Sequence, residues 1–125
     1  MRVAVIGSRG VQIKNLAPYL PEETSEIVTG GAQGADSSAE TYAREKSIPC
    51  TLFQPDYRRY GRAAPLRRND EIIAYSDMVL ACWDGSSRGT AYVIRQCKRH
   101  GKSLRVYLPA GENGWTLHAE MKSEK

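Results

Sequence analysis

The segment Ile27 to Asp36, IVTGGAQGAD, constrains the fold most, because a β-branched run passes through a glycine-rich turn straight into the helical pattern SSAETYAREK. Strand, tight turn and helix in that order read as half of a parallel α/β unit, with the first helical amides facing the carboxyl edge of the sheet. Gly30 and Gly31 remove side-chain bulk where the chain leaves the strand, Gly34 keeps the helix entry open, and Asp36 lies near the first turn, where a carboxylate caps free N–H groups or accepts from a hydroxyl. The geometry suits an anion. It equally suits a turn that needs small residues for packing, and the segment alone leaves both readings open.

The same arrangement recurs. Asp77 to Cys82 reads as a strand and runs into Trp83-Asp84-Gly85-Ser86-Ser87-Arg88-Gly89-Thr90 before the amphipathic pattern AYVIRQCKRHG. Two such turns on parallel strands point the same way and can embrace one ligand at a topological switch point. Gly89 and Thr90 offer amides to phosphate, Asp84 and Ser87 suit hydroxyl or amine groups, and Trp83 either stacks on a base or packs at the rim of the core. A third turn, Gly7-Ser8-Arg9-Gly10, follows a buried strand at Arg2 to Ile6; Ser8 can donate to an oxygen and Arg9 offers two parallel donors to a carboxylate or phosphate. GSRGVQ lacks the third glycine of the dinucleotide fingerprint, which disfavours a nicotinamide dehydrogenase.

Further strands read at Ser25 to Thr29, Ile48 to Phe53 and Ser103 to Leu108, and helices at Val11 to Leu20, Ala35 to Lys46 and Ala64 to Tyr75. The order predicts one three-layer α/β domain over residues 1–110, with a mainly parallel five-stranded sheet in the order 3-2-1-4-5 and a polar tail, loop-like, over 111–125. After the third strand comes a loop leading into the helix, and from Arg58 to Arg68 this stretch carries five arginines interleaved with tyrosines; it suits a polyanion or is a solvated surface. Arg67, Arg68 and Asn69 can aim at a pocket above the sheet, but the facing of that helix is not settled by spacing.

A chain of 125 residues is one domain's worth, and its net charge of +4 agrees with an anionic partner without naming one. Cysteines 50, 82 and 97 have neither CxxC nor Cys/His metal spacing and read as buried free thiols; His100 and His118 are isolated, so no metal site and no separate cofactor are expected. No signal-like leader or long apolar run is evident, and a cytoplasmic protein without membrane contact is expected.

Taken together, Gly7-Ser8-Arg9, the GGAxGAD element ending at Asp36, Arg68-Asn69 and the WDGxSxGT element resemble the small YspA-type members of the SLOG superfamily, relatives of the LOG enzymes and of SMF/DprA proteins. The resemblance implies a modified Rossmann fold that binds or senses a nucleotide or nucleotide-derived ligand, through Gly7, Ser8, Arg9, Gly30, Gly31, Gly34, Ala35, Asp36, Arg68, Asn69, Trp83, Asp84, Gly85, Ser87, Gly89 and Thr90. Two alternatives accompany it. LOG enzymes are nucleotide N-glycosidases with a PGGxGTxxE helix entry, but Val93 stands where that glutamate would be, leaving Asp36 or Asp84 to supply a carboxylate. DprA proteins bind single-stranded DNA, a role for which the arginine-rich segment would serve here. Relatives also form dimers through flanking helices, which makes Tyr92 to Arg99 a candidate homodimer surface.

Overall fold

The computed structural model describes residues 1–8, 10, 13–30, 35–111 and 114–123. Its elements run β1 (Arg2–Gly7), β2 (Glu26–Thr29), α1 (Ala35–Glu45), β3 (Cys50–Leu52), α2 (Tyr57–Tyr60), α3 (Ala64–Tyr75), β4 (Met78–Cys82), α4 (Arg88–His100), β5 (Ser103–Ala110) and β6 (Gly114–Met121). The sheet order is β3-β2-β1-β4-β5-β6. All pairings are parallel except β5 with β6.

Alternation along the central strands divides the core in two. Val3, Val5 and Leu80 pack on one face against Ala35, Ala39 and Ala43 of α1, together with Leu16 from the preceding loop. Ala4, Ile6, Val79 and Ala81 point the other way, toward Ile72 and Ile73 of α3 and Val93, Ile94 and Cys97 of α4. The alanine stripe recurs every fourth residue, on one helix face, and lets α1 lie close to the strands. A Cβ added to Gly7 would stand 2.4 Å from the Ala35 Cβ and 2.8 Å from the Cys82 carbonyl. Gly7 and Ala35 are thus paired by packing where α1 enters the sheet.

Several local features end the elements. Asp56 caps α2 by accepting from the Arg59 amide at 3.1 Å. Pro65 stands in the first turn of α3, where its missing N–H costs no hydrogen bond. Gly101 closes α4 in the left-handed conformation at φ 66°, its amide reaching the Cys97 and Lys98 carbonyls.

Three sequence expectations change. The sheet has six strands rather than five, because 114–121, expected as part of a loop-like tail, returns as an antiparallel strand along β5. Gly111, with φ 68°, belongs to the connection that reverses the chain there. The helix expected over Val11 to Leu20 is, among the described residues, only a 3-10 turn at Ala17–Tyr19, since Pro18 suits a first turn and not a helix interior. The segment read as a loop after β3 contains α2 and a short 3-10 turn at Gly61–Ala63.

Cys82 and Cys97 are buried, whereas Cys50 is exposed, because β3 is a short edge strand that no further element covers. Burial pushes both buried thiols up to about 12, so neither is a nucleophile at neutral pH. Among the described residues no helix is long and apolar enough to cross a membrane, and no cluster of His, Cys, Asp or Glu has the makings of a metal site.

Candidate ligand cleft

Neighbouring strands β1 and β4 send their chains to opposite sides of the sheet, and a cleft of about 460 Å³ opens above their carboxyl ends. One wall is polar, built from Gly7, Ser8 and Gly10 after β1 and from Asp84, Ser87, Gly89 and Thr90 around the start of α4. The other is α3, which contributes Pro65, Leu66, Arg68, Asn69 and Ile72; Ile6 and Asp36 complete the lining. A second open groove of about 530 Å³ lies on the opposite side, between residues 13–17 and α1. Nine of the sequence-predicted residues, Gly7, Ser8, Asp36, Arg68, Asn69, Asp84, Ser87, Gly89 and Thr90, line the first cleft.

Ser8 ties the two strand ends together. Its amide donates to the Cys82 carbonyl at 3.1 Å, its hydroxyl lies 2.9 Å from the Ser87 hydroxyl, and the Asp84 amide donates to it at 3.2 Å. Asp84 folds back on its own turn: Oδ1 accepts from the Ser86 and Ser87 amides, each at 2.8 Å. Those two backbone donors, first Ser86 and then Ser87, hold the Asp84 carboxyl below its ordinary value. It is therefore a carboxylate at neutral pH.

This arrangement leaves α4 without a side-chain cap, since the Ser87 hydroxyl, at the N-cap, engages Ser8 instead of the helix amides. No acidic residue lies within the first turn of α4 itself; the ionised Asp84, bound to the Ser86 and Ser87 amides, stands just before it. Gly89 sits in that turn, and an added Cβ would meet nothing within 4 Å. Its φ is not positive either, so neither packing nor backbone conformation explains the missing side chain.

Across the cleft, Arg68 is drawn inward while Arg67 stays on the surface near Asp70. The Arg68 guanidinium donates from one terminal nitrogen to the Gly30 carbonyl and from Nε to Asn69 Oδ1, both at 2.8 Å. Burial lowers its pKa, and the charge of Asp36 acts against that shift. Asp36, 4% exposed, accepts the Gly30 amide at 2.8 Å. A Cβ on Gly30 would come within 2.6 Å of the guanidinium. Gly30 is small to admit Arg68.

Some expected site residues serve the frame instead. Trp83 packs partly buried against the α3/α4 core and gives its indole N–H to the Ser87 carbonyl at 3.0 Å; it does not line the cleft. Gly85 makes the turn at φ 89°, Ala35 is core, and Gly30 lies behind Arg68; none of the three lines the cleft. Arg9, Gly31 and Gly34 lie outside the described residues. Val93 is fully buried in the core, so α4 presents no carboxylate from that position. The arginine-rich segment splits: Arg58, Arg59 and Arg62 are exposed, and only Arg68 enters the cleft.

Sequence reasoning did not single out Ile6, Gly10, Pro65, Leu66 or Ile72. For Pro65 and Leu66 a signal was present, an apolar pair at a helix start inside an otherwise basic segment.

With this geometry established, comparison with known proteins places the amino-terminal half. A match covers residues 1–60, from β1 through α2, to the family described as YspA, cpYpsA-related SLOG. The Rossmann-like, mainly parallel sheet is the architecture of that family. The cleft residues contributed by α3 and the α4 turn lie beyond the matched SLOG segment. A curated relative, Gene 61 protein of Mycobacterium phage D29, is 35% identical over an 81-residue alignment that covers 60% of this chain and 65% of the phage protein. The chain thus spans a little under two thirds of that relative's length. No solved structure matches.

Proposed function

We propose that the cleft above β1 and β4 binds a nucleotide-derived ligand, such as an ADP-ribose-like or NAD-related molecule. One observation carries the reading: the uncapped start of α4 borders the cleft, with a glycine at position 89 that the fold itself does not require. Helix amides without a side-chain cap, at the positive end of a helix dipole, hold a phosphate well. In this reading Gly89 and Thr90 take the phosphate, Asp84 accepts from sugar hydroxyls, and Ser8 fixes the loop that presents them. Asp36 and Gly30 position Arg68. The match of residues 1–60 to the SLOG family supports a nucleotide-related role.

The test is a thermal-shift panel of AMP, ADP-ribose and NAD on wild-type protein and the Gly89→Ala variant. Ala is the better helix former, so the ligand-free variant melts higher, by the equivalent of roughly 0.4–1 kcal/mol. The methyl group obstructs close approach, so the ligand-induced shift shrinks. No shift with any nucleotide, or an undiminished shift in the variant, overturns the assignment.

A second reading, N-glycosidic cleavage, has one observation in its favour: two carboxylates, Asp36 and Asp84, border the same cleft. Asp84, held ionised, suits stabilisation of positive charge developing on a sugar. Asp84→Asn would then abolish release of free base from a bound nucleotide. Tight binding with no base released by the wild-type protein rejects this version.

A further inference from the structure

The α3 wall has a chemistry of its own. Leu66, Asn69 and Ile72 recur at every third residue, so they share one side of the helix, and all three line the cleft. Leu66 keeps 41% of its surface exposed, beside Pro65 at the rim. Asn69 is the informative member. It is 8% exposed, and its Oδ1 accepts from Arg68 Nε.

An arginine only donates, so this contact fixes the amide with its oxygen toward Arg68 and its nitrogen the other way. Arg68 is in turn held by the Gly30 carbonyl. Among the described residues, Asn69 Nδ2 has no hydrogen-bond partner. The wall therefore presents apolar Pro65 and Leu66 beside one oriented donor group that no described residue engages, over the buried Ile72.

We propose that this wall receives the base of the ligand, with Leu66 covering the ring and Asn69 Nδ2 donating to a ring nitrogen or carbonyl on its edge. The assignment rests on the nucleotide reading above and gives it a direction: phosphate on α4, base on α3. Among the described residues, the opposite wall, with Ser8, Asp84 and the α4 amides, offers no comparable exposed apolar pair. An acceptor-bearing heterocycle satisfies both halves of the α3 wall at once. An unsubstituted sugar phosphate satisfies neither.

The test is isothermal titration of AMP, GMP, CMP, UMP and ribose 5-phosphate into the wild-type, Leu66→Ala and Asn69→Asp proteins. Asn69→Asp keeps the oxygen that Arg68 requires and replaces the donor with an acceptor. Both variants are expected to weaken the preferred nucleotide by about tenfold and to leave ribose 5-phosphate unchanged. Leu66→Met, which keeps the apolar cover, restores nucleotide binding. Equal losses for nucleotides and ribose 5-phosphate, or no loss for either, overturn the base assignment while the cleft reading stands. Wild-type protein that binds none of the five probes overturns the cleft reading and this assignment with it.

Discussion

At Gly7 and Gly30 a missing side chain makes room for another group of the protein, whereas at Gly89 the free space is left open. Gly7 is filled from two sides, by the Ala35 side chain and the Cys82 backbone, neither of which is a flexible tip that can swing away. Gly7→Ala is therefore expected to lower stability by about 1–3 kcal/mol, read as a lower urea midpoint with an unchanged slope. At Gly30 the obstacle is the far end of Arg68, which can move, but moving it releases the Gly30 carbonyl and the Asn69 amide. Trp83 teaches a related lesson: an aromatic beside a glycine turn invites a stacking role, yet its N–H and ring are both used to brace the turn.

Helix α4 makes the contrast between glycines measurable within one element. Gly89 lies in its first turn with open space around it and no positive φ, while Gly101 ends it at φ 66°. The same change to alanine thus has opposite signs at the two ends. Gly89→Ala stabilises the ligand-free protein, and Gly101→Ala destabilises it by about 1 kcal/mol, as side chains pay to enter the left-handed region. Urea unfolding of the two variants side by side decides the matter. The pair also separates stability from function, since only the first substitution stands at the cleft.

For the molecule as a whole, the end of the sheet opposite the cleft acts as a clasp. Glu26 accepts from Tyr75 at 2.6 Å and Thr51 at 2.7 Å, and Asp77 accepts from the Arg2 amide at 2.7 Å. The Arg2 guanidinium lies 4.4 Å from the centre of the Tyr75 ring. Glu26 titrates below its ordinary value chiefly because of the Tyr75 hydroxyl, and Asp77 because of the Arg2 backbone. A carboxyl depressed on folding contributes stability that is complete above its unfolded pKa and is lost as pH falls through the folded one. The melting temperature is accordingly expected to hold from pH 7 to about pH 5 and to decline below about pH 4, near and below the ordinary carboxyl values. In the Glu26→Gln, Asp77→Asn double variant the decline is shallower. An equally steep decline in the double variant would assign acid sensitivity elsewhere.

Much of this architecture is written locally. Unbroken apolar runs ending in glycine turns mark β1, β2 and β4, and an alanine every fourth residue marks α1, because strand and helix periods are properties of neighbouring residues. Chain connectivity then leaves few ways to order the parallel strands, and the order 3-2-1-4-5 follows with the cleft at its switch point. Strand β6 escaped because an edge strand needs no continuous apolar pattern; its partner is the tertiary neighbour β5, and Thr116, Leu117 and His118 remain exposed. The direction in which Arg67, Arg68 and Asn69 face was equally beyond spacing. It depends on Ile72 and Ile73 entering the core, which turns Arg68 toward Gly30 and leaves Arg67 outside. Local sequence thus determined the strands, the turns and the place where they converge. Only the packing of α3 against the sheet decided which polar groups would be used internally and which, like Asn69 Nδ2, would be left without a partner among the described residues, because hydrogen-bond satisfaction belongs to groups brought together across the fold.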